Sequence, residues 1–172
     1  MLIRGAALAL LICCGSLPAR AEVPVIHVQS SDYAMAKAFG QARATLNDAL
    51  GAMEKRHGRF SPSFALKVAL PVPAPERIEM IWVDTIRRDG KGFVAQLAGH
   101  PAHMPDKRIR DLVRFSHSQI ADWAVQAVDG RYYGYYTTRV LLNGAKGPLA
   151  EEIRALLVPN PLPPEWRFNP SE

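Results

Sequence analysis

The chain has 172 residues, 48% of them hydrophobic and 22% charged, with 21 basic residues against 16 acidic ones. That length suits one domain with its own core, and the mild basic excess, spread without a long Lys/Arg run, gives no electrostatic case for nucleic acid. Cys13 and Cys14 are the only cysteines, and both fall in a segment expected to be removed, which excludes disulfides as a source of stability.

Residues 1–21 carry the three parts of a signal peptide: Arg4, an apolar run from Ala6 to Cys14, and Ala19-Arg20-Ala21 as a cleavage site. The run is far short of the ~20 residues that cross a bilayer, so no integral membrane association is expected after cleavage. Ile12 is branched where a lipoprotein peptidase needs a small residue, which leaves lipid attachment a minor alternative. The expectation is a periplasmic or secreted protein whose single domain is residues 22–172. Losing Arg4 and Arg20 lowers its net charge from +5 to +3.

The N-terminal helix region is 30–57. Ser30 and Ser31 are candidate caps, Asp32 suits the positive end of a helix dipole, and the helix is expected from about Asp32 to Arg56. Met35, Phe39, Ala42, Leu46, Ala49, Leu50 and Met53 recur every three or four residues and form its apolar stripe. Gly58 reads as a left-handed C-cap, and Pro62 stops continuation.

A sheet-rich core spans 60–142. Phe64, Leu66, Val68 and Leu70 alternate with Ala65, Lys67 and Ala69, the period of a strand with one strongly apolar face. Arg77 to Ile86 is the next strand, and Ile81-Trp82-Val83, apolar on both sides, places it centrally. Asp89-Gly90 is a tight turn into a strand carrying Phe93, Ala95 and Leu97, and Leu112 to Phe115 is a short strand beyond the loop Gly99 to Pro105. Trp123 to Val128 and Arg131 to Leu142 read as a hairpin across Asp129-Gly130. A helix over 148–157 starts at Pro148, and a proline-rich tail, 158–172, is pinned by Trp166 and Phe168. The whole reads as α+β, a mostly antiparallel, strongly twisted sheet of about five strands with a long N-terminal and a short C-terminal helix.

A two-residue turn at Asp129-Gly130 pairs Val125 with Gly134 and Trp123 with Tyr136, which puts Trp123, Tyr132, Gly134, Tyr136 and Thr138 on one face. Gly134 is then a gap where an aromatic ring lies over bare backbone. Such a face is either sheet core or a stacking surface for a ligand. Trp82, Asp122, Trp123, Tyr132 and Tyr136 are therefore the candidate ligand- or partner-binding residues. Asp122, placed just before the strand, reads first as an acceptor for backbone N–H groups, and second as a carboxylate that touches a ligand or works with a histidine.

No catalytic residue, metal site or cofactor is assigned. His100 and His103 flank Pro101 in a loop and lack helical zinc spacing, with His117 the candidate third ligand. In an extended strand His117 would point away from Ser116 and Ser118, so those residues make a poor nucleophile and base. Gly144-Ala145-Lys146-Gly147 lacks the P-loop pattern.

Several of these pieces together resemble the uncharacterised bacterial DUF2314 domain, which includes the YegJ-like proteins. They are Glu79 to Val83, Asp89-Gly90, Leu97 to Pro101, Asp111-Leu112-Val113, Ile120-Ala121-Asp122-Trp123 and Gly134-Tyr135-Tyr136-Thr137, covering approximately Phe64 to Leu142. Arg110 stands where the family tends to have glycine, Gly99 where asparagine is common, and Tyr135 where the second glycine of a pair is usual. The resemblance implies a compact sheet-rich domain with no assigned catalytic residue. The preferred expectation is a secreted, non-enzymatic binding or interaction domain for an unknown protein or small-molecule partner. The alternatives are a cell-envelope enzyme using Asp122 with a nearby His, and an immunity or inhibitor protein for a periplasmic toxin.

Overall fold

The structure, a computed structural model, describes residues 32–73 and 77–166. The signal segment, the caps at Ser30 and Ser31, and Phe168 lie outside the described residues. Among the described residues six strands form one antiparallel sheet, ordered β4-β3-β2-β1-β5-β6: β1 Phe64–Pro71, β2 Ile78–Asp89, β3 Gly92–Leu97, β4 Leu112–Phe115, β5 Ile120–Gln126 and β6 Tyr132–Gly134. The α+β expectation is met, with one strand more than the five expected.

The N-terminal helix is two helices, α1 Asp32–Ala44 and α2 Leu46–Met53, a correction to the single run reaching Arg56. Thr45 makes the break at φ −105° and ψ 1°. Its hydroxyl donates back to the carbonyls of Gln41 at 3.0 Å and Ala42 at 3.3 Å, a backbone competition that bends helices. Glu54 then turns extended and bridges Phe60. Gly58 is left-handed as expected, but it closes a short 3-10 turn, Arg56–Gly58, rather than the helix.

The apolar stripe of these helices meets one face of the sheet. Ala38, Ala42, Leu46, Ala49 and Leu50 are buried with Phe64, Leu66, Val68 and Leu70 of β1, Val83 of β2, and Phe93, Ala95 and Leu97 of β3. Period-2 alternation along β1 thus divides the sheet cleanly: the even-numbered residues from Phe64 to Leu70 are core, and Ala65, Lys67 and Ala69 face the other way, half-buried.

The largest departure from expectation comes after β5. The turn is a three-residue loop, Val128-Asp129-Gly130, closed by Ala127 N–H to the Arg131 carbonyl at 2.7 Å, with Gly130 left-handed at φ 85°. That is the hairpin in which a left-handed glycine forms a bulge, and it pairs Ala124 with Gly134, Val125 with Tyr133 and Gln126 with Tyr132. The register is one residue off the expected one, so side chains exchange faces. β6 then stops after three residues, where Gly134 and Tyr135 are both left-handed at φ 72° and φ 54°. The expected strand out to Leu142 is instead α3, Tyr136–Gly144. Next comes α4, Pro148–Ala155, with Pro148 in its first turn as expected.

The segment after α4 returns to cover the β6 edge. Tyr132 N–H donates to the Leu156 carbonyl at 2.8 Å, Val158 N–H to the Tyr132 carbonyl at 3.2 Å, and Gly134 N–H to the Pro161 carbonyl at 2.7 Å. Arg139 of α3 locks this arrangement, its guanidinium donating to the carbonyls of Gly134, Val158 and Tyr132. Trp166 packs on Trp123 at 5.5 Å between ring centroids, which pins the tail as expected.

Candidate functional site

Trp82, Lys67 and Asp122 stand side by side across three adjacent strands. Lys67 of β1 is the register partner of Trp82 on β2 and of Asp122 on β5, so all three project from the face opposite α1 and α2. Between Lys67 and Val68 the β5 register slips, because Ala121 is an extra residue between Ile120 and Asp122. The bulge re-aims the side chains on its C-terminal side and turns Asp122 away from the core while Trp123 points into it. Asp122 therefore lies inside β5, a correction to its placement before the strand.

The Asp122 side chain is 1% exposed and fully bonded. Oδ1 accepts from Trp123 N–H at 2.8 Å and Tyr136 N–H at 3.3 Å. Oδ2 accepts from both the N–H and the hydroxyl of Thr137 at 2.7 Å. Lys67 Nζ donates to the same Thr137 Oγ1 at 3.3 Å. The carboxylate thus caps α3 from a distant strand, since Tyr135, the local N-cap residue, provides no side-chain cap. Burial pushes the Asp122 carboxyl upward, opposed by the Thr137 and Trp123 donors and by the charge of Lys67. Burial pulls the Lys67 ammonium downward, opposed by Asp122. The four hydrogen bonds donated to Asp122 oppose its rise without cancelling it, and the net direction for Asp122 is upward.

Above this row lies a strip of three rings. Tyr135 sits 4.6 Å from Trp82 and 5.4 Å from Tyr132 between centroids, tilted at 55° and 78°. Its hydroxyl is pushed up to about 12, first by burial, then by Tyr132 and Asp122. The same face continues along β2 to Met80, 44% exposed, and Ile78, 56% exposed, since residues two apart share a face.

Trp123 and Tyr136 occupy the other side. Trp123 is fully buried, donates its indole N–H to Thr45 Oγ1 at 3.0 Å, and meets the Tyr136 ring edge-on at 5.7 Å. Both belong to the core under α1 and α2. Of the five residues singled out, Trp82 and Tyr132 reach the open face, Asp122 lies beneath it, and Trp123 and Tyr136 are internal. The expected single aromatic face is thus two faces. Lys67, Tyr135 and Thr137 were not singled out. A tyrosine standing where a glycine is usual was the available signal for Tyr135, because such positions need positive φ.

His100, His103 and His117 are exposed, and His117 Nε2 is hydrogen-bonded to Asn47 Oδ1 at 3.2 Å. Among the described residues no histidine is a hydrogen-bond partner of Asp122, and no three His, Cys, Asp or Glu side chains gather as a metal site.

A family model described as an uncharacterized protein conserved in bacteria, DUF2314, matches residues 32–152. The chain belongs to the DUF2314 family. The DUF2314 match reaches beyond the expected Phe64 to Leu142, taking in α1, α2 and the start of α4. The ring strip and the Asp122 cluster both lie within it. No curated protein and no solved structure matches the chain. At both positions where the resemblance implies glycine the backbone is left-handed: Arg110 has φ 75° and Tyr135 φ 54°. The Arg110 guanidinium donates to both Asp84 carboxylate oxygens at 2.7 and 2.8 Å, and its N–H to the Leu97 carbonyl at 2.9 Å.

Proposed function

We propose that this DUF2314 protein is an exported, non-enzymatic binding domain whose contact surface is the strip Tyr132–Tyr135–Trp82, extended by Met80 and Ile78. The observation that carries the reading is the strip itself. Among the described residues it sits on the sheet face without α1 or α2, and amphipathic aromatic rings half-open to solvent are the commonest anchors of binding surfaces. Export is supported by the n-region, apolar run and small-residue cleavage site of residues 1–21. No helix among the described residues is long and apolar enough to cross a membrane. The bonding of Asp122 to first-turn amides gives no support to a carboxylate–histidine enzyme.

The test is capture from periplasmic extract of the host bacterium on immobilised residues 22–172, with mass spectrometry of bound protein, lipid and sugar. A species retained by the wild type and by Leu149→Ala on α4, but lost on Trp82→Ala, supports the reading. Equal retention by Trp82→Ala removes it.

A further inference from the structure

Tyr135 is held in a conformation that its own side chain does not favour. At φ 54° and ψ 37° it is left-handed, directly after left-handed Gly134, where a residue with a Cβ is strained. Its N–H donates to the Trp123 carbonyl at 2.9 Å, and the next two amides, of Tyr136 and Thr137, both end on Asp122. Tyr135 is thus clamped on both sides by two consecutive residues of β5. The third tie is Lys67, which reaches Thr137 and is the cross-strand neighbour of Trp82, the ring that Tyr135 touches.

We propose that Asp122, through Thr137 and with Lys67, is the positioning residue of the ring strip: it imposes the left-handed turn that lays Tyr135 against Trp82. This deepens the binding reading, because the contact surface is then preset by a buried polar cluster rather than by the rings alone. Preorganisation lowers the ordering cost of binding. Asp122→Asn is nearly isosteric but loses acceptor capacity on one side, so the Tyr136–Thr137 amides lose part of their hold and Tyr135 relaxes.

The test reads strip geometry without any ligand, by fluorine NMR of the full mature chain labelled with 5-fluorotryptophan. The Trp82 resonance is assigned from Trp82→Phe, and its position without the neighbouring ring from Tyr135→Gly. In Asp122→Asn the Trp82 resonance is expected to move most of the way to its Tyr135→Gly position. Thr137→Ala, which keeps the amide but removes the hydroxyl, moves it part of the way and serves if Asp122→Asn does not fold. Thr137→Ser restores the wild-type position. A Trp82 resonance unmoved in folded Asp122→Asn, or in Thr137→Ala, overturns the proposal, leaving Asp122 as a helix cap alone. That outcome is separate from failure of the capture experiment, which bears on the binding reading.

Discussion

The Trp123 ring lies against the bare backbone of Gly134: a Cβ added at 134 would stand 2.2 Å from the Trp123 carbonyl oxygen and 2.7 and 2.9 Å from its ring carbons. Both partners are fixed, Trp123 by full burial and its bond to Thr45, Gly134 by the Pro161 carbonyl and Arg139. Gly134→Ala therefore combines an overlap with backbone and a left-handed φ of 72°. It is expected to cost about 3 kcal/mol or more, read by urea unfolding. A loss below about 1 kcal/mol would mean that β5 and β6 can separate freely.

The two faces of the sheet separate two tryptophans. Trp123→Ala empties the core and removes the indole donor to Thr45, so a loss of about 3–5 kcal/mol is expected. Trp82 is half-buried on the open face, and Trp82→Ala should cost less than half as much while abolishing Trp82-dependent capture. Equal destabilisation by both substitutions would place Trp82 in the core and contradict the division of faces.

Acid stability tests the Lys67–Asp122 row. Burial raises the folded pKa of Asp122, so the native chain holds this proton more tightly than the unfolded one. The corresponding stability is complete below the ordinary carboxylate range and is lost as pH rises through the folded value. Relative to Asp122→Asn, the wild type should thus lose stability as pH rises through and above the ordinary carboxylate range. Lys67 opposes the raised pKa, so Lys67→Met should extend that loss to higher pH. Urea midpoints across this range check both, and an unchanged profile in Lys67→Met would show that the two charges are uncoupled.

Arg110 carries two opposed effects, a left-handed backbone and an exposed ion pair to Asp84. Arg110→Ala loses the pair and keeps the strain, whereas Arg110→Gly loses the pair and relieves it. The glycine variant is expected to be more stable than the alanine variant by about 1 kcal/mol in thermal or urea unfolding. Equal stabilities would show that residue 110 leaves the left-handed region once its guanidinium is gone.

Much of the sheet was legible along the chain. β1 through β4 fall within three residues of the spans that alternation, Asp89-Gly90 and the prolines suggest, because each strand's pattern reports its own burial locally. The helix break was less legible, since it arises where Thr45 finds carbonyls behind it and the Trp123 indole beside it. Residues 136–142 depart from their strand-like sequence pattern for a related reason. Thr137, Thr138, Val140 and the preceding tyrosines favour strand locally, and a helix forms there because tertiary capping overrides that preference.

The sequence by itself determined an α+β domain, the central place of Trp82, the glycine that a ring must cover, and membership in the DUF2314 pattern. Only the tertiary structure decided which aromatic rings face outward. A hairpin loop of three residues instead of two shifts the register by one, and with a side-chain period of two that shift exchanges the faces. Likewise the start of α3 is set by a carboxylate 14 and 15 residues upstream of the amides it holds, through bonds that exist only when β5 and α3 meet.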